Sequence, residues 1–164
     1  MKQIYLFPGQ LIACREPALI KTILGSCVGV ALFDRINCFG GLNHYLLPEV
    51  MPGEPPSPRY GTFAIETLFQ EMLRLGSRRQ DLQAKIFGGA AVLGNVQIGL
   101  DVGIKNIEAA VNAISGARVP LLEKNVGGTV GRQIVLRTDT FEVSHRYLSE
   151  PKQDPAAPRR KVAA

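Results

Sequence analysis

The sequence predicts an α+β fold, a mixed, largely antiparallel β-sheet structure packed with two main helices. Three observations predict it. Short apolar or β-branched runs recur before, between and after two stretches of helical period. Gly, Pro, Asn and Asp punctuate those runs as turns do. No internal repeat runs through the chain.

The first 47 residues are strand-rich. Gln10–Cys14, Ile20–Leu24, Val28–Phe33 and Phe39–Leu46 read as strands, with Pro8-Gly9 and Glu16-Pro17 as turn dipeptides. From Pro48 to Gly61 five prolines and two glycines exclude sheet and helix interiors, so this segment reads as a loop. Such a loop, starting four residues after His44, either shapes access to a site there or is a plain connector. Thr62–Leu75 is an amphipathic helix. Ala64, Ile65, Leu68, Phe69, Met72 and Leu73 form its inward face, Thr62 is its N-cap and Gly76 its C-terminal stop. Leu82–Phe87 is a strand that ends at Gly88-Gly89, a pair that permits a tight turn or close backbone approach. Lys105–Ile114 is the second helix, with Ile107, Ala110, Val111 and Ile114 inward. Leu121–Val126, Arg132–Arg137 and Phe141–Tyr147 complete the strands, the last two joined hairpin-fashion through Thr138-Asp139-Thr140.

At 164 residues and 46% hydrophobic content, the chain supports one domain with its own core, over residues 1–149. From Glu150 onward Pro, Ala and charge dominate, so residues 150–164 read as a disordered tail. The net charge of +5 divides into +2 on that tail and +3 on the body. With no basic, aromatic-rich strand to stack bases, nucleic-acid binding is not predicted. The apolar runs are broken by Gly, Lys or Asp short of a membrane span, and the first residues lack a secretory apolar stretch. A cytoplasmic protein without membrane insertion is expected. Cys14, Cys27 and Cys38 show no C-x-x-C, and two histidines accompany them. Neither a structural metal site nor a disulfide framework is predicted.

The chemistry-bearing feature is the pair Cys27 and His44. Cys27 lies in Gly25-Ser26-Cys27-Val28, and His44 ends the run Gly40-Gly41-Leu42-Asn43. Asp34-Arg35-Ile36-Asn37 lies midway as a turn. A hairpin centred between Arg35 and Ile36 sets Cys27 directly opposite His44, with Cβ atoms roughly 5 Å apart. Thiol and imidazole so placed form a nucleophile–base pair, because the thiolate attacks and the imidazole takes its proton. A third group is needed to fix the imidazole's tautomer, and the Thr22 hydroxyl, on the strand leading to Cys27, is the candidate. Gly25 and Ser26 offer backbone N–H groups to a developing oxyanion. Each residue also has a plain reading. Cys27 can be a small buried apolar side chain, His44 a hydrogen-bonded core residue, Thr22 a β-branched strand residue and Ser26 a turn former. His145 reads as a surface or packing residue, and Cys14 and Cys38 as dispensable.

Thr22-Ile-Leu-Gly-Ser-Cys27-Val and Gly41-Leu-Asn-His44, with Leu46-Leu47-Pro48 behind, resemble the CheD family, the chemoreceptor glutamine deamidases of bacterial chemotaxis. Arg59-Tyr60-Gly61, Ala84-Lys-Ile-Phe-Gly-Gly-Ala90, Lys105-Asn106, Val126-Gly-Gly128 and Gly131-Arg132 extend the resemblance over about residues 5–147. The resemblance implies a cytoplasmic protein-glutamine glutaminase related in fold to cysteine-dependent toxin deamidases. It implies Cys27 as nucleophile, His44 as general base and acid, and Thr22 as the orienting residue. The implied substrate is a glutamine on a methyl-accepting chemotaxis receptor, converted to glutamate through a thioester, and glutamyl methyl ester hydrolysis uses the same acyl-enzyme. No cofactor is implied, and a CheC-type phosphatase is the implied binding partner. Lys105 stands where the family often has arginine. The alternatives are a non-catalytic adaptor for receptor or phosphatase, and a cysteine amidohydrolase of different substrate.

Overall fold

The computed structural model describes residues 1–92 and 96–149. The tail expected over 150–164 lies outside the described residues. The elements are β1 (Lys2–Tyr5), β2 (Leu11–Cys14), β3 (Ala18–Leu24), β4 (Val28–Asp34), β5 (Phe39–Asn43), α1 (Gly61–Arg74), β6 (Leu82–Gly88), α2 (Val96–Gly116), β7 (Leu121–Val126), β8 (Arg132–Arg137) and β9 (Val143–Tyr147). The α+β class holds, but the strands divide into two sheets. One has the order β1-β3-β8-β9, the other β2-β5-β4-β6-β7. All pairings are antiparallel except β1 with β3 and β6 with β7.

β4 explains the layering. Every one of its residues is buried, because both of its faces are covered. Val28, Val30 and Leu32 face the helices and pack with Ile65, Leu68, Phe69, Met72, Ala110 and Ile114. Ala31 and Phe33, with Leu42 and Phe87, face the other sheet and pack on Ile20, Leu24, Ile134 and Leu136. The result is three layers: helices, five-stranded sheet, four-stranded sheet. Each such side chain fully removed from water contributes roughly 1.5–3 kcal/mol before entropy is counted.

β3 alternates strictly. Ala18, Ile20, Thr22 and Leu24 are buried, while Lys21 and Ile23 are exposed. Thr22 is therefore the one polar side chain in a row that faces the neighbouring sheet.

Helix α1 buries Ala64, Ile65, Leu68, Phe69 and Met72 of the predicted face, while Leu73 at its edge is only half-buried. Thr62 does not cap it. The N-cap is Tyr60, and its side chain makes no capping bond. The amides of Gly61 and Thr62 instead donate to the carbonyls of Leu47 (2.7 Å) and Pro48 (3.0 Å), so the returning loop supplies the acceptors a capping side chain normally provides. Gly76 follows the C-cap Leu75 with φ +108°, a conformation suited to glycine. Helix α2 starts at Val96, well before the expected Lys105. β9 starts at Val143 rather than Phe141, which takes φ +64° and stacks its ring on Phe33 at 5.0 Å.

Candidate active site

The β4–β5 hairpin does not have the predicted register. Asp34 pairs with Phe39, Ala31 with Leu42, and beyond the strands Val28 with Tyr45. The turn is centred one residue later than expected. The cause is the Asp34 side chain, which accepts from the amides of Ile36 and Asn37, both at 2.9 Å, while Cys38 takes φ +55° and donates to the Asp34 carbonyl. Cys27 and His44 are therefore diagonal rather than opposite. The slip is an even number of residues, so it leaves both on one face. That face is the inter-sheet layer, where Cys27 packs against the cluster containing Leu42 and Leu24.

Cys27 ends the β3–β4 turn, half-buried. All three carbonyls of this turn are held from outside. Gly25 accepts from Ala90 N–H and Cys27 from Gly89 N–H, both at 2.9 Å, and Ser26 accepts from Asn106 Nδ2 at 3.0 Å. Among the described residues, the amides of Gly25 and Ser26 donate to no other residue. A turn whose carbonyls point into the protein presents its N–H groups on the other side. The close packing beneath depends on two glycines in left-handed conformation, Gly88 at φ +105° and Gly89 at φ +72°. A Cβ on Gly88 would overlap the Cys27 carbonyl oxygen, and one on Gly89 would overlap Ile107.

His44 follows β5 and is 2% exposed. Its backbone is fixed by the β1–β2 turn: its N–H donates to the Gln10 carbonyl (3.0 Å) and its carbonyl accepts from Gly9 N–H (2.7 Å). Its Nδ1 lies 2.7 Å from Thr22 Oγ1, and that hydroxyl lies 2.7 Å from the Leu6 carbonyl. A carbonyl only accepts, so the hydroxyl donates its single hydrogen to Leu6 and must accept from His44 Nδ1–H. Neutral His44 thus carries its hydrogen on Nδ1, and Nε2 keeps a lone pair. Nε2 is buried and, among the described residues, has no hydrogen-bond partner. Burial pulls the imidazole down to about 4 from its ordinary 6.5, and burial pushes the Cys27 thiol up. The resting pair is accordingly thiol and neutral imidazole, not the thiolate–imidazolium ion pair that an exposed Cys/His couple can form.

Of the other sequence candidates, Cys14 is half-buried in β2 and Cys38 is exposed in the hairpin loop. His145 is exposed on β9, edge-on to Tyr147 at 5.6 Å. Lys105 is exposed on α2. Among the described residues no group of three or more His, Cys, Asp or Glu side chains gathers as a metal site, and no helix is long and apolar enough to cross a membrane. Sequence reasoning gave Asn106 no part in the site. It is fully buried and links the turn before Cys27 to the segment after His44. The signal was present: Asn106 is the polar member of the row Gly103, Asn106, Ile107, Ala110 on the face of α2 turned to the sheet.

Thiol, imidazole and hydroxyl on one inter-sheet face, beside unengaged turn amides, are the groups that cysteine-dependent acyl transfer requires. A family model described as CheD chemotactic sensory transduction matches residues 46–147. The matched segment begins after Thr22, Cys27 and His44. Similarity to whole proteins covers more of the chain. It is 42% identical over 137 residues to the probable chemoreceptor glutamine deamidase CheD 1 of Anaeromyxobacter dehalogenans, covering 84% of this chain and 80% of that protein. It is 40% identical over 147 residues to a probable chemoreceptor glutamine deamidase CheD of Sulfurimonas denitrificans, covering 89% and 94%. A protein of the same name from Rhodospirillum rubrum is 43% identical over 148 residues, covering 90% and 84%. The chain belongs to the CheD family.

Proposed function

We propose that this protein is a chemoreceptor glutamine deamidase with Cys27 as nucleophile, His44 as general base and acid, and Thr22 as the residue that orients His44. The observation that carries the reading is the Thr22–His44 hydrogen bond, since it leaves Nε2 as the proton acceptor on the face shared with Cys27. Membership of the CheD family and the relatives' names support the substrate class.

Because the resting thiol is protonated, attack and proton transfer occur together. Cys27 Sγ bonds to the carboxamide carbon of a receptor glutamine while its hydrogen passes to His44 Nε2. The carbonyl oxygen becomes an oxyanion that the amides of Gly25 and Ser26 receive. The C–N bond then breaks, the imidazolium returns its proton to the departing nitrogen, and ammonia leaves a thioester. Water, losing a proton to Nε2, attacks the thioester. Collapse releases glutamate, and the proton returns to sulfur. A glutamyl methyl ester enters the same thioester by losing methanol. The target lies on the folded helical bundle of a receptor's cytoplasmic region, and changing its charge tunes chemotactic signalling. A CheC-type phosphatase is the proposed binding partner.

Peptide mapping of a receptor cytoplasmic fragment after incubation with the protein tests this. Conversion of specific glutamines to glutamate, abolished by Cys27→Ala, is expected. Binding without conversion supports the adaptor alternative. Conversion undiminished in Cys27→Ala overturns the nucleophile.

A further inference from the structure

We propose that Asn106 is a positioning residue for the Cys27–His44 pair, its side-chain amide fixing the two segments that carry them; this rests on the deamidase reading above. The ladder between β4 and the chain beyond β5 ends at Val28 and Tyr45, which exchange bonds of 3.2 and 3.0 Å. The next such exchange would join Ser26 to Leu47. It does not form, because Leu46 and Leu47 both donate to the Arg59 carbonyl instead. The strands part here, at the level of the candidate site, and Ser26 and Leu46 are left with inward carbonyls.

Asn106 takes both. One Nδ2 hydrogen goes to Ser26 O at 3.0 Å and the other to Leu46 O at 2.9 Å. Ser26 precedes Cys27 directly, and Leu46 lies two residues past His44. A carboxamide nitrogen has two hydrogens in one plane, so both acceptors are held at a fixed mutual angle. The amide's orientation is determined as well, since the flipped form sets Oδ1 against two carbonyl oxygens. Asn106 is itself held at both ends of the residue. Its own carbonyl accepts from the Tyr45 hydroxyl, and a turn earlier Gly103 packs so tightly on Gly89 that a Cβ there would meet the Gly89 carbonyl oxygen. Gly89 N–H in turn holds Cys27 O. Helix α2 thus contacts the Cys27 turn directly at one point, reaches it through Gly89 at a second, and contacts the histidine's segment at two.

Asn106 is fully buried, so it acts through where it sets sulfur against Nε2. A merely structural residue, when removed, lowers the melting temperature and leaves the chemistry of the folded fraction unchanged. A positioning residue changes that chemistry. The experiment is done on the full chain carrying Cys14→Ser and Cys38→Ser, so that Cys27 is its only thiol. Iodoacetamide alkylation is followed against pH for the parent, Asn106→Ala, His44→Ala and the double variant, each below its melting transition. kcat and KM are measured on a receptor cytoplasmic fragment. Asn106→Ala is expected to lower kcat about 10–100-fold with KM within about two-fold, the scale of a displacement near one ångström. It is also expected to move the alkylation profile toward that of His44→Ala, and to add nothing in the His44→Ala background. Asn106→Ser, which keeps one donor, falls between, and it carries the test if Asn106→Ala does not fold. Wild-type kcat and alkylation in the folded variant overturn the proposal. So does parent alkylation that ignores His44→Ala, for then there is no pair to position. Failure of the parent to convert receptor glutamine overturns the deamidase reading alone, and the alkylation arm still decides the clamp.

Discussion

Thr22 and His44 come from different sheets and meet at 2.7 Å, Oγ1 to Nδ1, with the hydroxyl's hydrogen committed to the Leu6 carbonyl. The tautomer of the imidazole is therefore set by a main-chain carbonyl acting through a side-chain hydroxyl. No carboxylate takes part in this contact, so the imidazolium of the proposed mechanism would gain no countercharge from it.

Thr22→Val tests that linkage. Valine fills the same volume but neither accepts from Nδ1–H nor donates to Leu6 O. With Nδ1 unpartnered, either ring nitrogen can carry the hydrogen, and kcat is expected to fall about 10–100-fold, a part of the roughly 100–10,000-fold that a positioned general base supplies. The two buried partners left behind cost about 1–3 kcal/mol of stability. Thr22→Ser keeps the oxygen and is expected to retain most of kcat. Steady-state kinetics and chemical denaturation on the two variants separate the effects.

The depressed His44 pKa has a stability consequence. Between pH 6.5 and about 4 the unfolded chain binds a proton at this position and the folded chain does not. Stability is therefore full above the ordinary imidazole value and is lost as pH falls through that window. A shift of this size corresponds to about 3 kcal/mol, an order-of-magnitude figure. Denaturant titrations at a series of pH values are expected to show the slope in the parent and its loss in His44→Gln. With His44 as the proposed general base, the acid limb of kcat/KM is expected near pH 4 rather than near 6.5.

Much of this was legible in the chain. The alternation of Ala18, Ile20, Thr22 and Leu24 gives Thr22 its inward direction, and the spacing of Ile65, Leu68, Phe69 and Met72 gives α1 its face. What was not legible came from contacts distant in sequence or from a side chain acting on backbone. Lys2–Tyr5 is short and polar, and it becomes β1 only by pairing parallel to β3. The hairpin register turned on Asp34 bonding two amides ahead of it. Gly103 looks like a helix breaker, yet it lies within α2 because a side chain there would meet Gly89. Thr62 looks like a cap, but the acceptors came from Leu47 and Pro48.

Gly88 and Gly53 make a matched pair of tests. Both have positive φ, +105° and +80°, so alanine at either carries a similar backbone cost of about 1–2 kcal/mol. At Gly53 nothing lies within 4 Å of the new methyl, and Gly53→Ala is expected to lose only that stability and no kcat. At Gly88 the methyl overlaps the Cys27 carbonyl, so the turn that carries the proposed nucleophile must move. Gly88→Ala is expected to lose kcat in addition, by about 10-fold or more. Equal kinetics for the two variants would show that the Cys27 carbonyl is free to shift without consequence.

Arg132 carries the last prediction. It is 1% exposed, lies opposite Leu24 on β8, and among the described residues has no carboxylate bonded to it. Its guanidinium donates to the Asn125 carbonyl at 2.8 Å, the Asn125 side chain at 2.6 Å and the Gly127 carbonyl, and it lies under the Tyr147 ring. The loop it holds reaches the site at one remove, since Gly127 N–H donates to the Gly88 carbonyl (2.8 Å) and Gly128 O accepts from Ala91 N–H (2.9 Å). A lysine ammonium cannot reproduce the planar fork or the stacking. Arg132→Lys is therefore expected to cost about 2–4 kcal/mol, as loss of buried bonds to a charged donor does. Limited proteolysis within residues 126–131 is expected to speed up with it. If the loop were held by its own turn geometry instead, the substitution would leave both the denaturation midpoint and the cleavage rate where they are in the parent.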